Sequence, residues 1–159
     1  MVRNQAIPED VNSIAFVCVQ NAGRSQMATT FAERERDVRS IDVTIITGGT
    51  NPASEIHATL ATVMEELDHD IENRSPREVT KDQLSACDLV ITMGCDAANV
   101  CPAVWSGTSI DWDLDDPHGK PIERVREIRD DIQSRVIALF DTLEEQASEE
   151  LSEGPHRDG

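Results

Sequence analysis

The sequence is poor in lysine and in aromatic residues, and it contains no tyrosine at all. Its 14 basic residues stand against 31 acidic ones, which gives a formal net charge of -17. The acidic residues are spread along the chain, as in proteins from a salt-rich cytoplasm where ions screen their repulsion. A surface made for one basic partner would concentrate this charge in a single segment, so we favour the halophilic interpretation. The same charge argues against nucleic acids and anionic membranes as partners, because both would be repelled.

The sequence also lacks a long apolar run, and its first residues lack the apolar core of a signal peptide. Four cysteines in such a chain favour reduced thiols that take part in chemistry over a secreted disulfide framework. We therefore expect a cytoplasmic protein without a membrane segment. At 159 residues the chain is long enough to bury one core, so we expect a single domain over residues 1–143. Residues 144–159 are acidic and polar, which predicts a frayed tail.

Apolar runs typical of strands alternate along the chain with segments typical of helices. The sequence predicts strands at 13–19, 43–46, 89–92 and 109–112, and helices at 26–39, 54–67 and from residue 121 onward. Ser54 and Thr80 are candidate helix caps, and Gly48-Gly49 is expected to begin a loop. The alternation indicates an α/β fold, a three-layer sandwich with a four-stranded parallel sheet and helices on both faces. In such sheets ligands bind at the carboxyl ends of the strands.

The most informative segment follows the first predicted strand and reads Cys18-Val19-Gln20-Asn21-Ala22-Gly23-Arg24-Ser25. A strand, a tight loop and a helix start gather backbone N–H groups around a pocket and direct a helix N-terminus at it. A tetrahedral oxyanion suits such a pocket, so the whole loop is a candidate binding segment. Cys18 is the candidate nucleophile, because this environment favours its thiolate form.

Other side chains of this loop suit the same task. Arg24 offers a planar guanidinium that can bind two anion oxygens at once. Ser25 can donate its hydroxyl to the Cys18 sulfur, Gly23 lets the backbone approach a ligand closely, and Asn21 tolerates a left-handed backbone. The alternative is a buried structural cysteine beside a surface arginine. The strand before the loop and the helix after it favour the catalytic interpretation.

Two further clusters carry candidate chemistry. Asp116-Pro117 lies in a predicted loop, where the Asp116 carboxyl is a candidate general acid; the alternative is an acidic loop that only faces solvent.

Cys95 and Cys101 follow the third predicted strand and could meet each other and Cys18 in a thiol relay. Their spacing is not typical of a zinc site, and two unrelated buried thiols remain the other alternative. Cys87 precedes that strand and is expected to be buried and inert.

Together these segments resemble the arsenate reductases built on the low-molecular-weight protein tyrosine phosphatase fold, over about residues 13–140. The resemblance implies that Cys18 attacks arsenate while Arg24 and the loop amides hold its oxygens and Asp116 protonates the departing oxygen. It also implies that Cys95 attacks the Cys18 sulfur, and that Cys101 then attacks Cys95. The resulting disulfide would be reduced by a thioredoxin-like protein or a small thiol, with no metal or organic cofactor. The matching segments are 16–28, 92–95, 101–102, 111–120 and 125–132.

A phosphatase of the same fold is the main alternative, because phosphate and arsenate share shape and charge. It would hydrolyse phosphomonoesters through a phosphocysteine. Phosphotyrosine phosphatases of this fold usually carry aromatic residues after the Asp-Pro pair, whereas His118-Gly119-Lys120 follows it here. A simple phosphatase also needs no resolving cysteines, so the sequence favours arsenate. A non-catalytic redox or oxyanion sensor is the second alternative, and it would react once without turnover.

The acidic composition generates a first prediction. Lowering the salt concentration from molar to millimolar should lower the melting temperature, because fewer ions then screen the repulsion among the carboxylates. Circular dichroism at both salt concentrations measures the effect. An unchanged melting temperature would contradict the halophilic interpretation.

Overall fold

The computed structural model describes residues 7–94 and 107–158, which form one four-stranded parallel sheet and the helices around it. The strands follow the order β2-β1-β3-β4 across the sheet, which confirms the predicted α/β class. No helix in the described residues is long and apolar enough to cross a bilayer. Along the chain the elements are β1 (Ser13–Cys18), α1 (Arg24–Arg39), β2 (Thr44–Gly49), α2 (Ala58–Glu65), α3 (Lys81–Ser85), β3 (Leu89–Met93), β4 (Thr108–Asp111) and α4 (Ile122–Asp158).

The central strand β1 is buried on both faces, and this explains its unbroken apolar sequence. Ile14 and Phe16 point into the larger core, which α1, α2 and α4 cover. Ala15 and Val17 point into a smaller core on the other face, where Leu84 of α3 packs. Helices therefore cover both faces, as the alternation of strands and helices predicted. The buried side chains that α4 adds to the larger core are Val125, Ile128, Ile132, Val136, Leu139, Phe140 and Leu143.

The register of the sheet places the end of β1 between two neighbours. Cys18 pairs with Gly49 of β2 on one side and with Met93 of β3 on the other. Because all three pairings in the sheet are parallel, the segments that leave these strands emerge at the same edge. The loop after Cys18 and the segment after Met93 therefore start from adjacent positions.

The two glycines predicted to begin a loop instead complete β2. A Cβ atom on Gly49 would lie 2.5 Å from the Val19 carbonyl oxygen, and one on Gly48 would lie 2.5 Å from Cβ of Val79. Gly49 also exchanges backbone hydrogen bonds with Arg77 and Val79. These positions need glycine because other chain segments approach the backbone closely, and the prediction of a loop there was wrong.

Other element boundaries differ from the sequence prediction. The second helix starts at Ala58 and not near Ser54, because the chain before it runs beside the loop after β1, where the N–H groups of Ala53 and His57 donate to loop carbonyl oxygens. Thr80 does cap α3, in a reciprocal capping box with Gln83. Helix α4 runs from Ile122 to Asp158 and so includes most of the acidic stretch 144–159, for which the sequence predicts a frayed tail.

An ion-pair cluster fastens α2 to α4. Glu66, which follows α2, accepts hydrogen bonds from Arg126 and from Arg129 at 2.7 Å each, and Arg129 also donates to the Val63 carbonyl. Hydrogen bonds from Arg126 and then from Arg129 lower the pKa of Glu66 to about 2. Because the folded pKa lies below the ordinary value of 4.5, the ionised carboxylate stabilises the fold.

This cluster generates a second prediction. Glu66→Gln should lower the melting temperature at neutral pH, because the buried Arg129 loses one of its two charged partners and keeps only Asp130. The difference from the unchanged protein should shrink as the pH falls from 4.5 toward 2, where the carboxylate becomes protonated. Thermal melts at several pH values measure it, with Glu65→Gln at the neighbouring exposed position as the control. An equal effect of both substitutions would contradict the role given to Glu66.

Candidate active site

The loop between β1 and α1 turns its carbonyl oxygens outward. In a trans peptide the next N–H group points opposite to the carbonyl, so the N–H groups of Val19, Gln20 and Asn21 point inward, away from the segment that binds these carbonyls. The N–H of Asn21 reaches the Cys18 sulfur, at 3.3 Å. The outward hydrogen bonds run from the N–H groups of Thr50, Asn51 and Ala53 to the carbonyl oxygens of Cys18, Val19 and Gln20, at 3.2, 2.8 and 3.0 Å.

The Cys18 sulfur lies 2.8 Å from the Ser25 hydroxyl oxygen. Asn21 Nδ2 donates to that same oxygen at 2.7 Å. Since the oxygen already accepts from Asn21, its own proton is free to be donated to the sulfur. Two donors, the Ser25 hydroxyl and the backbone N–H of Asn21, thus converge on the sulfur. Both stabilise a thiolate better than a thiol.

Asn21 holds this arrangement from the inside. It is fully buried and adopts a left-handed backbone with φ of 54°, a conformation that asparagine tolerates better than most residues. Besides Ser25, its Nδ2 reaches Thr47 Oγ1 at 2.8 Å, while its Oδ1 accepts from Gln26 and from the Arg77 backbone. Its side chain therefore connects the loop with α1 and with the chain beyond β2.

Arg24 lies at the start of α1 and is 8 % exposed. Its Nη1 donates to the Leu114 carbonyl at 2.9 Å, and its Nη2 lies 3.9 Å from Asp116 Oδ2. A Cβ atom on Gly94 would lie within 2.7 Å of three guanidinium atoms, and Gly94 has φ of 81°. Gly94 therefore leaves the space in which the guanidinium lies.

Asp116 belongs to a loop that is held in place at several points. Lys120 Nζ donates to the Asp116 carbonyl at 3.0 Å, and the His118 N–H donates to Asp116 Oδ1 at 3.0 Å. Arg124 forms an ion pair with Asp115 at 2.5 Å. The Asp116 side chain itself is 62 % exposed, so it borders the pocket from the solvent side.

These groups surround one pocket of about 340 Å³. The structure brings together Cys18, Arg24 and Asp116, which sequence reasoning had selected from segments almost a hundred residues apart. It adds two residues that this reasoning missed, Gly94 and His57. The sequence predicted that His57 lies in or beside the helix over 54–67, in a surface or capping role, and nothing local indicated that it lines a pocket with Cys18. Residues 18, 19, 20, 23, 24, 57, 94 and 116 line the pocket.

The remaining cysteines and tryptophans are placed differently. Cys87 is buried in the smaller core, on the face of the sheet opposite Cys18, and its thiol donates to the Gln83 carbonyl. Trp112 packs against Phe16, with ring centroids 6.0 Å apart, so it belongs to the core and not to the pocket. The predicted resolving residues Cys95 and Cys101, like Trp105, lie outside the described residues.

A thiol under inward-facing amides, with an arginine and a carboxylate above it, defines an enzyme class that acts on oxyanions or oxyanion esters through a cysteine. Residues 13–149 match the family of low molecular weight phosphotyrosine protein phosphatases, and the chain belongs to this family. A candidate arsenate reductase of Halobacterium salinarum is 50% identical over 135 residues, which are 84% of this chain and 94% of that protein.

Solved structures agree with this assignment. The thioredoxin-dependent arsenate reductase Cg_ArsC1' of Corynebacterium glutamicum superposes with a TM-score of 0.68 and 32% identity, covering 86% of this chain and 64% of that one. An arsenate reductase in its phosphate-binding state superposes with a TM-score of 0.70 and 27% identity, covering 83% of this chain and 98% of that one.

The contacts of the sulfur generate a third prediction. Ser25→Ala should slow the alkylation of Cys18 by iodoacetamide at neutral pH about tenfold, because a hydrogen bond to a charged group contributes roughly 1.5 kcal/mol. Mass spectrometry of the Cys18 peptide separates this thiol from the other three. Ser85→Ala, which removes a helix hydroxyl outside the pocket, is the control. Equal alkylation rates in both variants would exclude Ser25 as a donor to the thiolate.

Proposed function

We propose that this protein reduces arsenate to arsenite, with a Cys18 thiolate as the nucleophile. The observation that carries this proposal is the convergence of the Ser25 hydroxyl and the Asn21 N–H on the Cys18 sulfur, within a pocket that Arg24 and Asp116 also line. The names of the relatives select arsenate among the tetrahedral oxyanions, which the pocket geometry alone does not distinguish.

The first step joins sulfur to arsenic. Arsenate enters with its oxygens facing the inward amides of the loop and the Arg24 guanidinium. The thiolate attacks arsenic, an S–As bond forms, and one As–O bond breaks. Asp116 gives its proton to the departing oxygen, which leaves as water. The exposed position of the Asp116 carboxyl above the pocket supports this role, because it lies 3.9 Å from the arginine that would hold the anion.

The second step moves two electrons. A Cys95 thiolate attacks the Cys18 sulfur, the S–As bond breaks, and its electron pair leaves with arsenic as arsenite. Cys101 then attacks the Cys95 sulfur, which releases Cys18 as a thiolate and leaves a Cys95–Cys101 disulfide. The position of Gly94 against Arg24 supports this assignment, because Cys95 is the next residue in the chain.

We further propose that a thioredoxin-like protein or a small thiol reduces this disulfide. The Corynebacterium glutamicum relative is described as thioredoxin-dependent, which supports the first of these donors. No step requires a metal or an organic cofactor, because thiols supply both electrons. The acidic composition fits an enzyme that operates at high salt.

Hydrolysis of phosphomonoesters is a second candidate function. The family match favours it, and the nucleophile, the arginine and the acid would serve it without change. Cys18 would attack phosphorus, an S–P bond would form, and the P–O ester bond would break, with Asp116 protonating the departing alcohol. Water would then attack phosphorus and release phosphate and the Cys18 thiolate, with no second thiol involved. The two functions therefore differ in redox chemistry: arsenate reduction oxidises two cysteines while arsenic gains two electrons, whereas phosphoester hydrolysis oxidises none.

A disulfide map after incubation with arsenate tests the proposal and is our fourth prediction. We expect Cys18–Cys95 or Cys95–Cys101 bonds, no activity in Cys18→Ser, and at most one turnover in Cys95→Ser. Cys87→Ser is the matched control and should retain activity, because Cys87 lies in the other core. Thiols that stay free while phosphate esters are hydrolysed would favour the phosphatase. A single reaction without turnover in the unchanged protein, with arsenate and a dithiol both supplied, would indicate a sensor.

A further inference from the structure

Two imidazole rings face each other at the mouth of the pocket. His57 precedes α2 and lines the pocket together with Cys18 and Arg24. Its ring centroid lies 4.8 Å from that of His118. Its Nε2 lies 3.2 Å from Gln20 Oε1, and its backbone N–H donates to the Ala22 carbonyl. The nucleophile loop thus holds His57 from one side, and the acid loop brings His118 to it from the other.

The charges around the pocket leave a dianion incompletely neutralised. Among the described residues that line it, Arg24 carries the one permanent positive charge, and Asp116 carries a carboxyl group. A tetrahedral dianion brings two negative charges beside the Cys18 sulfur, which must itself be an anion in the proposed attack. Of the other lining side chains, His57 is the one that can become a cation near neutral pH.

We propose that His57 is a further oxyanion-binding residue of this pocket, which takes up a proton when a dianion enters and then binds it as an imidazolium. This inference rests on the oxyanion pocket proposed above. It does not depend on which oxyanion is the substrate or on which thiols resolve the adduct.

The free pocket keeps His57 neutral. Burial lowers the pKa of His57, the nearby His118 lowers it further, and Asp116 raises it in part. Because Gln20 Oε1 only accepts, Nε2 holds the ring proton in the neutral form, and Nδ1 is the atom that gains one. A bound dianion reverses the local charge and favours the protonated ring. Affinity for a dianion should therefore increase as the pH falls.

Sulfate is a suitable probe, because it remains a dianion between about pH 6 and 8, where histidine titrates. Cys18 and Asp116 face the same anion and can also gain a proton. The Cys18→Ser/Asp116→Asn protein removes both and keeps the rest of the pocket. Calorimetric titration in two buffers of different protonation enthalpy then counts the protons that sulfate binding takes up.

We expect an uptake approaching one proton per sulfate. The Kd for sulfate should fall severalfold, and up to about tenfold, for each unit by which the pH is lowered. His57→Gln in the same background should abolish the uptake and flatten this pH dependence. His69→Gln is the matched control and should change neither. Burial lowers the pKa of His69 as well, but its ring packs against Phe31 in the larger core.

The outcomes separate this inference from the proposed function. If Cys18→Ser alone binds no sulfate, the oxyanion pocket itself is wrong. If sulfate binds but proton uptake is absent, or persists in His57→Gln, the pocket stands and the role of His57 is overturned. Uptake that His118→Gln abolishes and His57→Gln preserves would also overturn it. As a second measurement, NMR titration of the His57 ring should move its midpoint to higher pH when sulfate is present.

Discussion

The site depends on the irregular segment, residues 50–57, that follows β2. Its N–H groups bind the carbonyl oxygens of the loop after Cys18, and this orients the loop amides toward the sulfur. The segment can run so close only because Gly49 has no side chain, since a Cβ there would lie 2.5 Å from the Val19 carbonyl oxygen. A residue on a neighbouring strand therefore determines the direction of the dipoles that an anion meets. Those dipoles need no reorganisation when an anion binds.

Arg24 links the binding of an anion to the position of the acid. Its guanidinium is already engaged with the Leu114 carbonyl, two residues before Asp116, and it lies against Gly94, one residue before Cys95. The group that would hold the oxyanion thus contacts the two chain segments that would supply the acid and the second thiol in the proposed reaction. Oxyanion binding, proton donation and thiol attack can share one geometry because they share one side chain.

The sequence predicted the fold class and the main candidate residues, because strand patterns and loop motifs are local signals. Cys18 and Arg24 lie six residues apart in one loop, and Asp116 is marked by the proline that follows it. The prediction was wrong at Gly48-Gly49, which end β2 and do not begin a loop. A glycine pair is typical of a turn, and the sequence does not show which chain segments pack against it. His57 was missed for the same reason. Its place at the pocket depends on the path of residues 50–57 and on the approach of the acid loop, and no local pattern encodes either.

The excess of acidic residues and the composition of the pocket are opposing constraints. A chain with a net charge of -17 repels anions at long range, and screening by salt removes most of that repulsion beyond about 10 Å. Within the pocket, the anion meets backbone amides, one arginine and an imidazole whose charge depends on its surroundings. A second permanent cation in the pocket would compensate the negative charge of a Cys18 thiolate even when no substrate is bound. A histidine that becomes charged only when the dianion binds avoids this. The pocket then has both a reactive Cys18 sulfur and affinity for the anion that this sulfur attacks.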